Sequence, residues 1–132
     1  MQEKLKKLLE NSYSPYSNFP VSAVVVMKDG KEFYGVNVEN ASFGATICAE
    51  RNVFTTAIAY GYKPKDFEKL YIMTKGDIST PCFMCRQFIT EFFSEEKEII
   101  CMNENGEEKI YKVKDLCPYP FNEGDLKWEA DL

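Results

Sequence analysis

Helical and strand-like spacing of apolar residues alternate along this chain in a set order, and that order limits the fold more than any other feature. Gln2 to Asn11 places Leu5, Leu8 and Leu9 at helical spacing among Lys and Glu. Val21 to Met27 is β-branched and reads as a buried strand. Lys28-Asp29-Gly30 forms a turn, and Lys31 to Val36 returns as the second strand of a hairpin. Ala49, Val53 and Ala57 then recur every four residues, with Gly61 as a stop signal. Leu70 to Thr74 is a short apolar strand. Ser79-Thr80-Pro81 reads as a helix start, with Thr80 as the cap and Pro81 in the first helical position. Cys85, Phe88, Ile89 and Phe92 mark that helix's inner face. Ile99 to Met102 is a strand, Asn105-Gly106 a turn, and Lys109 to Val113 the partner strand. This succession predicts an α/β domain layered around a mixed sheet. The loop Ser12 to Pro20 carries Tyr13, Tyr16 and Phe19, which predict that it packs down; Asn37 to Ala45 reads as an irregular connection.

With 132 residues and no internal repeat or linker, the chain reads as one domain, 1–132. It contains no histidine. A Ser-His-Asp triad, a Cys-His nucleophile or a His-ligated metal is therefore excluded within one chain. The net charge is -5, with no run of Lys and Arg, which argues against nucleic acid and anionic membranes as partners. The start, MQEKLKKLLENS, lacks the apolar region of a secretion signal, and no apolar run approaches a membrane span. A cytoplasmic location is expected. There the five cysteines should be thiols or metal ligands.

Two segments carry the chemistry: Cys48-Ala49-Glu50-Arg51 and Pro81-Cys82-Phe83-Met84-Cys85-Arg86-Gln87. Each falls at a predicted helix start, where free N–H groups and a partial positive charge favour thiolate, the form that binds zinc. Cys82 and Cys85 share one face of a helical turn, and Cys48 can supply a third ligand from the other helix. Three protein ligands leave one tetrahedral position open, the mark of a catalytic zinc. Three thiolates would weaken its Lewis acidity, and Arg51 is placed to offset their charge. Glu50 is the natural proton shuttle, no histidine being present to compete. The same cysteines also admit a thioredoxin-like redox pair, or a structural four-thiolate zinc site that recruits Cys101 or Cys117. The conjunction of both segments fits the zinc-deaminase signature, in which the glutamate is not a ligand.

From about Tyr13 to Phe121 the chain resembles the small, zinc-dependent, homotetrameric cytidine deaminases. The resemblance extends to Tyr16-Ser17, Phe19-Pro20-Val21, Asn37-Val38-Glu39-Asn40-Ala41 and Leu116-Cys117-Pro118 with Phe121. It implies a three-layer α/β/α fold with a central mixed five-stranded sheet. The implied activity is hydrolysis of cytidine and 2′-deoxycytidine to the uridines with release of ammonia, in pyrimidine salvage. It further implies one zinc per subunit on Cys48, Cys82 and Cys85, with Glu50 moving protons and Arg51 bonding to the thiolates. Asn37 and Glu39 would hold the ribose 3′-hydroxyl, and Phe19 would pack on the pyrimidine. The backbone of Ala49 and Thr80 would read the base edge and amino group. Ala41 and Phe121 would reach a neighbouring subunit's pocket in a homotetramer. A blasticidin-type deaminase shares both zinc motifs and is the alternative within the superfamily. The chain departs from the family at Phe83, where Gly is usual, at Ser22 and Val24, and at Phe43, where many members carry Tyr. None of these removes a group that the chemistry needs.

Overall fold

The computed structural model describes residues 1–126. Helix α1 spans Gln2–Leu9, and strands β1, Val21–Met27, and β2, Glu32–Val36, form the first hairpin. Helix α2, Ala49–Ala59, leads to strand β3, Phe67–Thr74, and helix α3 spans Phe83–Thr90. Strands β4, Glu98–Asn103, and β5, Glu108–Lys112, precede two one-turn helices, α4, Val113–Leu116, and α5, Glu123–Leu126. The five strands form one sheet in the order β2-β1-β3-β4-β5. Strands β3 and β4 are parallel and the other neighbouring pairs antiparallel, so the sheet is mixed as expected.

Side chains alternate faces along each strand. Val24, Met73, Ile100 and Met102 point to one face and bury Leu5 and Leu9 of α1. Ala23, Val25, Leu70, Ile72, Ile99 and Cys101 point to the other, against Val53, Phe54 and Ala57 of α2 and Ile89 of α3. Both faces of β1 are covered, which is why Val21–Met27 is apolar apart from Ser22, whose hydroxyl donates to the Leu5 carbonyl at 2.9 Å. The result is the three-layer α/β/α arrangement. Phe54 stacks on Phe67 at 5.0 Å and on Phe92 at 5.2 Å, which locks α2 to the sheet and to the end of α3.

Gly35 of β2 fixes the depth of α2. A Cβ there would lie 2.8 Å from Val53 Cγ1, 3.0 Å from the Ala49 carbonyl oxygen and 3.2 Å from Asn52 Cβ. The start of α2 therefore rests on bare strand backbone, and Asn52 Nδ2 donates to the Val36 carbonyl at 2.7 Å. Gly35→Val should cost about 1–3 kcal/mol of stability through overpacking. Urea unfolding would show this as a lower midpoint with an unchanged slope; an unchanged midpoint would contradict the close approach.

The loop 12–20 departs from expectation. Tyr13, Tyr16 and Phe19 remain 56%, 51% and 44% exposed. Polar bonds hold the loop instead: Tyr13 N–H donates to the Asn37 carbonyl at 3.1 Å, and Glu39 N–H donates to the Tyr13 carbonyl at 2.8 Å. The connection after β2 is likewise not formless. It makes single bridges from Val38 to Tyr13 and to Ile47, and one 3-10 turn at Phe43–Ala45.

Candidate active site

The N-termini of α2 and α3 converge. Cys48 is the N-cap residue of α2, and Cys82 is the N-cap residue of α3. The expected cap at Thr80 is corrected here: Thr80 Oγ1 accepts from Arg86 Nη2 at 2.7 Å, so α3 begins after Cys82 rather than at Pro81. Cys85 is then the third residue of α3, turned inward and buried. The three Sγ atoms lie within 4.8 Å of one another, and Cys48 and Cys82 are 3.9 Å apart. Four ligands at ~2.3 Å in a tetrahedron are separated by about 3.8 Å, so these sulfurs already stand near the spacing that zinc needs. Cys101 lies in the core under α2 and α3, where burial pushes its thiol up to about 12. Among the described residues the metal-capable group comprises Cys48, Cys82 and Cys85 alone, and neither Cys101 nor Cys117 joins it.

The electrostatics favour anionic sulfur at Cys48. Hydrogen bonding from the Cys85 thiol, and then from Arg51 and Cys82, lowers the Cys48 thiol to about 5. The same bond, together with burial, pushes Cys85 up. Arg51 Nη2 lies 3.7 Å from Cys48 Sγ and donates to the Thr46 carbonyl at 3.1 Å. Glu50, the second residue of α2, is 5% exposed. Burial, and then the Cys48 charge, raise its carboxyl to about 7. A carboxyl poised near neutrality can both take and give a proton.

Beside these groups opens a cavity of about 520 Å³, a size common for small-molecule sites. Phe19, Asn37, Glu39, Cys48, Ala49, Glu50, Thr80 and Cys82 all line it. Asn37 Oδ1 accepts from Val21 N–H at 2.9 Å and from the Ser12 hydroxyl, while Nδ2 donates to the Phe19 carbonyl at 2.9 Å. One Nδ2 proton remains for a ligand. Glu39 accepts from the N–H groups of Tyr16 at 2.9 Å and Ser17 at 3.1 Å, and from the Ser17 hydroxyl. The Ser17 hydroxyl leads the causes that hold its carboxyl below the usual range. Ser12 and Ser17 are the positioning groups that sequence reasoning missed. Ser17 stood in the resembling Tyr16-Ser17 pair without an assigned role, and Ser12 was visible only as the first polar residue of the loop. Ala41 and Phe121 do not line this cavity; Phe121 is 57% exposed and held through its backbone by Gln87.

Three sulfurs set for zinc, an unshared fourth ligand position and a buried carboxyl beside a small-molecule cavity define a hydrolytic zinc enzyme. Comparison with known proteins narrows the class. A family described as the cytidine and deoxycytidylate deaminase zinc-binding region matches residues 1–103. Cytidine deaminase from Sporosarcina psychrophila is 37% identical over 128 residues, spanning 96% of this chain and 92% of that protein. Cytidine deaminase from Mycoplasma genitalium is 32% identical over 114 residues, spanning 86% and 87%. A crystal structure of cytidine deaminase from Burkholderia pseudomallei superposes with a TM-score of 0.86 at 39% identity, covering 90% of this chain and 94% of that one. The chain belongs to the cytidine and deoxycytidylate deaminase family.

Proposed function

We propose that this protein hydrolyses cytidine and 2′-deoxycytidine to uridine and 2′-deoxyuridine, releasing ammonia. The observation that carries the reading is the meeting of Cys48, Cys82 and Cys85 within 4.8 Å of one another, at a cavity that Glu50 also lines. Zinc held by Cys48, Cys82 and Cys85 would supply Lewis acidity that brings deprotonation of a water into the neutral range. Glu50 takes a proton from the attacking water and delivers it to ring N3. After attack at C4, Glu50 moves the proton of the new C4 hydroxyl to the amine, the C4–N bond breaks, and ammonia leaves as the C4 carbonyl of uridine forms. Arg51 offsets the charge of the thiolates at Cys48. Asn37, through its remaining N–H, and Glu39 hold the ribose 3′-hydroxyl, and Phe19 covers the pyrimidine. The backbone of Ala49 and Thr80 reads the base edge and amino group. A blasticidin-type substrate is not favoured, given the cytidine deaminase relatives that match along most of the chain.

In the same reading the protein is a homotetramer in which Ala41 and Phe121 complete a neighbour's site. Their place outside the cavity of their own chain supports this, as do exposed Phe43, Phe83 and Met84. We place the reaction in cytoplasmic pyrimidine salvage. Among the described residues no helix is long and apolar enough to cross a membrane.

The test is the ultraviolet change of cytidine and deoxycytidine on incubation with zinc-loaded protein. Zinc-dependent conversion of both is expected, and zinc-bearing protein that leaves both unchanged overturns the reading. Glu39→Gln should raise KM by about 10–100-fold with kcat little changed, the range for losing a charged hydrogen bond. An unchanged KM would remove Glu39 from the ribose site. Sedimentation in the same buffer should show a tetramer; an active monomer would contradict the shared pocket.

A further inference from the structure

Arg86 reaches back from α3 to the wall of the cavity. Its Nε donates to the Pro81 carbonyl at 2.7 Å, its Nη2 to Thr80 Oγ1 at 2.7 Å, and its Nη1 to the Leu116 carbonyl at 3.0 Å. The Phe83 ring, one helical turn earlier, covers one face of the guanidinium, with its centroid 4.2 Å from the Arg86 Cζ. Ser79, Thr80, Pro81 and Cys82 form one side of the cavity. Among the described residues, no backbone–backbone hydrogen bond holds Ser79, Thr80 or Pro81. The stretch lies between β3 and α3, outside both, so Arg86 is its main polar anchor. The third bond ties that anchor to the end of α4, on the segment that continues to Phe121.

We propose that Arg86 is a positioning residue for the proposed deamination: it sets the Thr80–Cys82 wall against the bound base, and Phe83 covers the guanidinium that does so. The inference rests on the nucleoside reading of the cavity. The guanidinium acts through Thr80 and Pro81 and has no place in the proton transfers. Its planar fork meets three acceptors in three directions. A lysine offers one flexible ammonium and can serve one of them at a time. Phe83, which replaces the usual glycine of the resembling family, thus becomes part of the brace.

Kinetics and backbone NMR relaxation on zinc-loaded Arg86→Ala, Arg86→Lys and Phe83→Gly test this. Arg86→Ala should raise KM for cytidine by about 10–100-fold, with kcat within a few-fold and zinc content unchanged. Arg86→Lys should fall between it and the wild type, and Phe83→Gly should shift KM in the same direction by less. The backbone order parameters of Ser79, Thr80 and Cys82 should fall in Arg86→Ala, while those of β3 stay at the rigid level. Unchanged KM would overturn the proposal. So would a parallel loss of zinc, stability and kcat, which marks a purely structural role. Wild-type order parameters along the wall in Arg86→Ala would overturn it too, and that readout needs no turnover. Wild-type protein that leaves cytidine untouched would sink the nucleoside reading instead, with the order parameters still deciding whether Arg86 holds the wall.

Discussion

Glu50→Gln is expected to lower turnover of cytidine by about 10²–10⁴-fold while zinc stays bound, the usual worth of a positioned acid–base group. The amide has the size of the carboxyl and keeps one oxygen acceptor, but it neither takes nor delivers a proton. Glu50 is 5% exposed at the start of α2, so no other water-borne base reaches the same place readily. Removing a buried ionisable carboxyl also removes its desolvation cost, so thermal stability should not fall. Steady-state kinetics with metal analysis of each preparation is the check. A zinc-replete variant with near wild-type turnover would remove Glu50 from the proton path.

Stripping zinc with a chelator at neutral pH should abolish turnover and leave a folded chain. Of the three cysteines only Cys85 is buried; Cys82 is exposed and Cys48 half-buried. The apolar cluster between the sheet, α2 and α3 is built from other residues, Phe54, Phe67, Leu70, Ile72 and Ile99 among them. Far-ultraviolet circular dichroism should therefore persist. The melting temperature should drop by the lost binding energy, in a still cooperative transition, and added zinc should restore activity. Collapse of the transition on chelation would instead identify a structural site, since such domains unfold without their metal.

The parts of this protein that sequence showed best are those whose cause is local. Strand β1 was legible to the residue because its β-branched run is buried on both faces. The meeting of Cys48, Cys82 and Cys85 was legible because Cys-Ala-Glu and Pro-Cys-x-x-Cys stand together at two predicted helix starts. Tertiary causes were harder to see. Strand β3 begins at Phe67, earlier than its apolar run at Leu70. Glu68 and Lys69 look like loop residues until Lys97 pairs with Glu68 at 2.9 Å and Glu98 with Lys69 at 3.8 Å from the neighbouring segment. Thr80 has the chemistry of a helix cap, but its hydroxyl is claimed by a side chain six residues on. The half-exposed aromatics of loop 12–20 misled in the same way. Glu39 holds that loop from 22 to 23 residues away, and no local pattern announces it.

The two halves of the metal site lie on either side of β3. Cys48 and Cys82 are 34 residues apart, joined through a strand that pairs antiparallel with β1 and parallel with β4. The three sulfurs come within 4.8 Å of one another only when these elements are assembled, so the complete site is a property of the folded chain. An ion bound there, and not by the unfolded chain, adds its binding free energy to the native state alone. Zinc in this protein would therefore act as a clasp on the finished fold, holding together two segments that β3 separates along the chain.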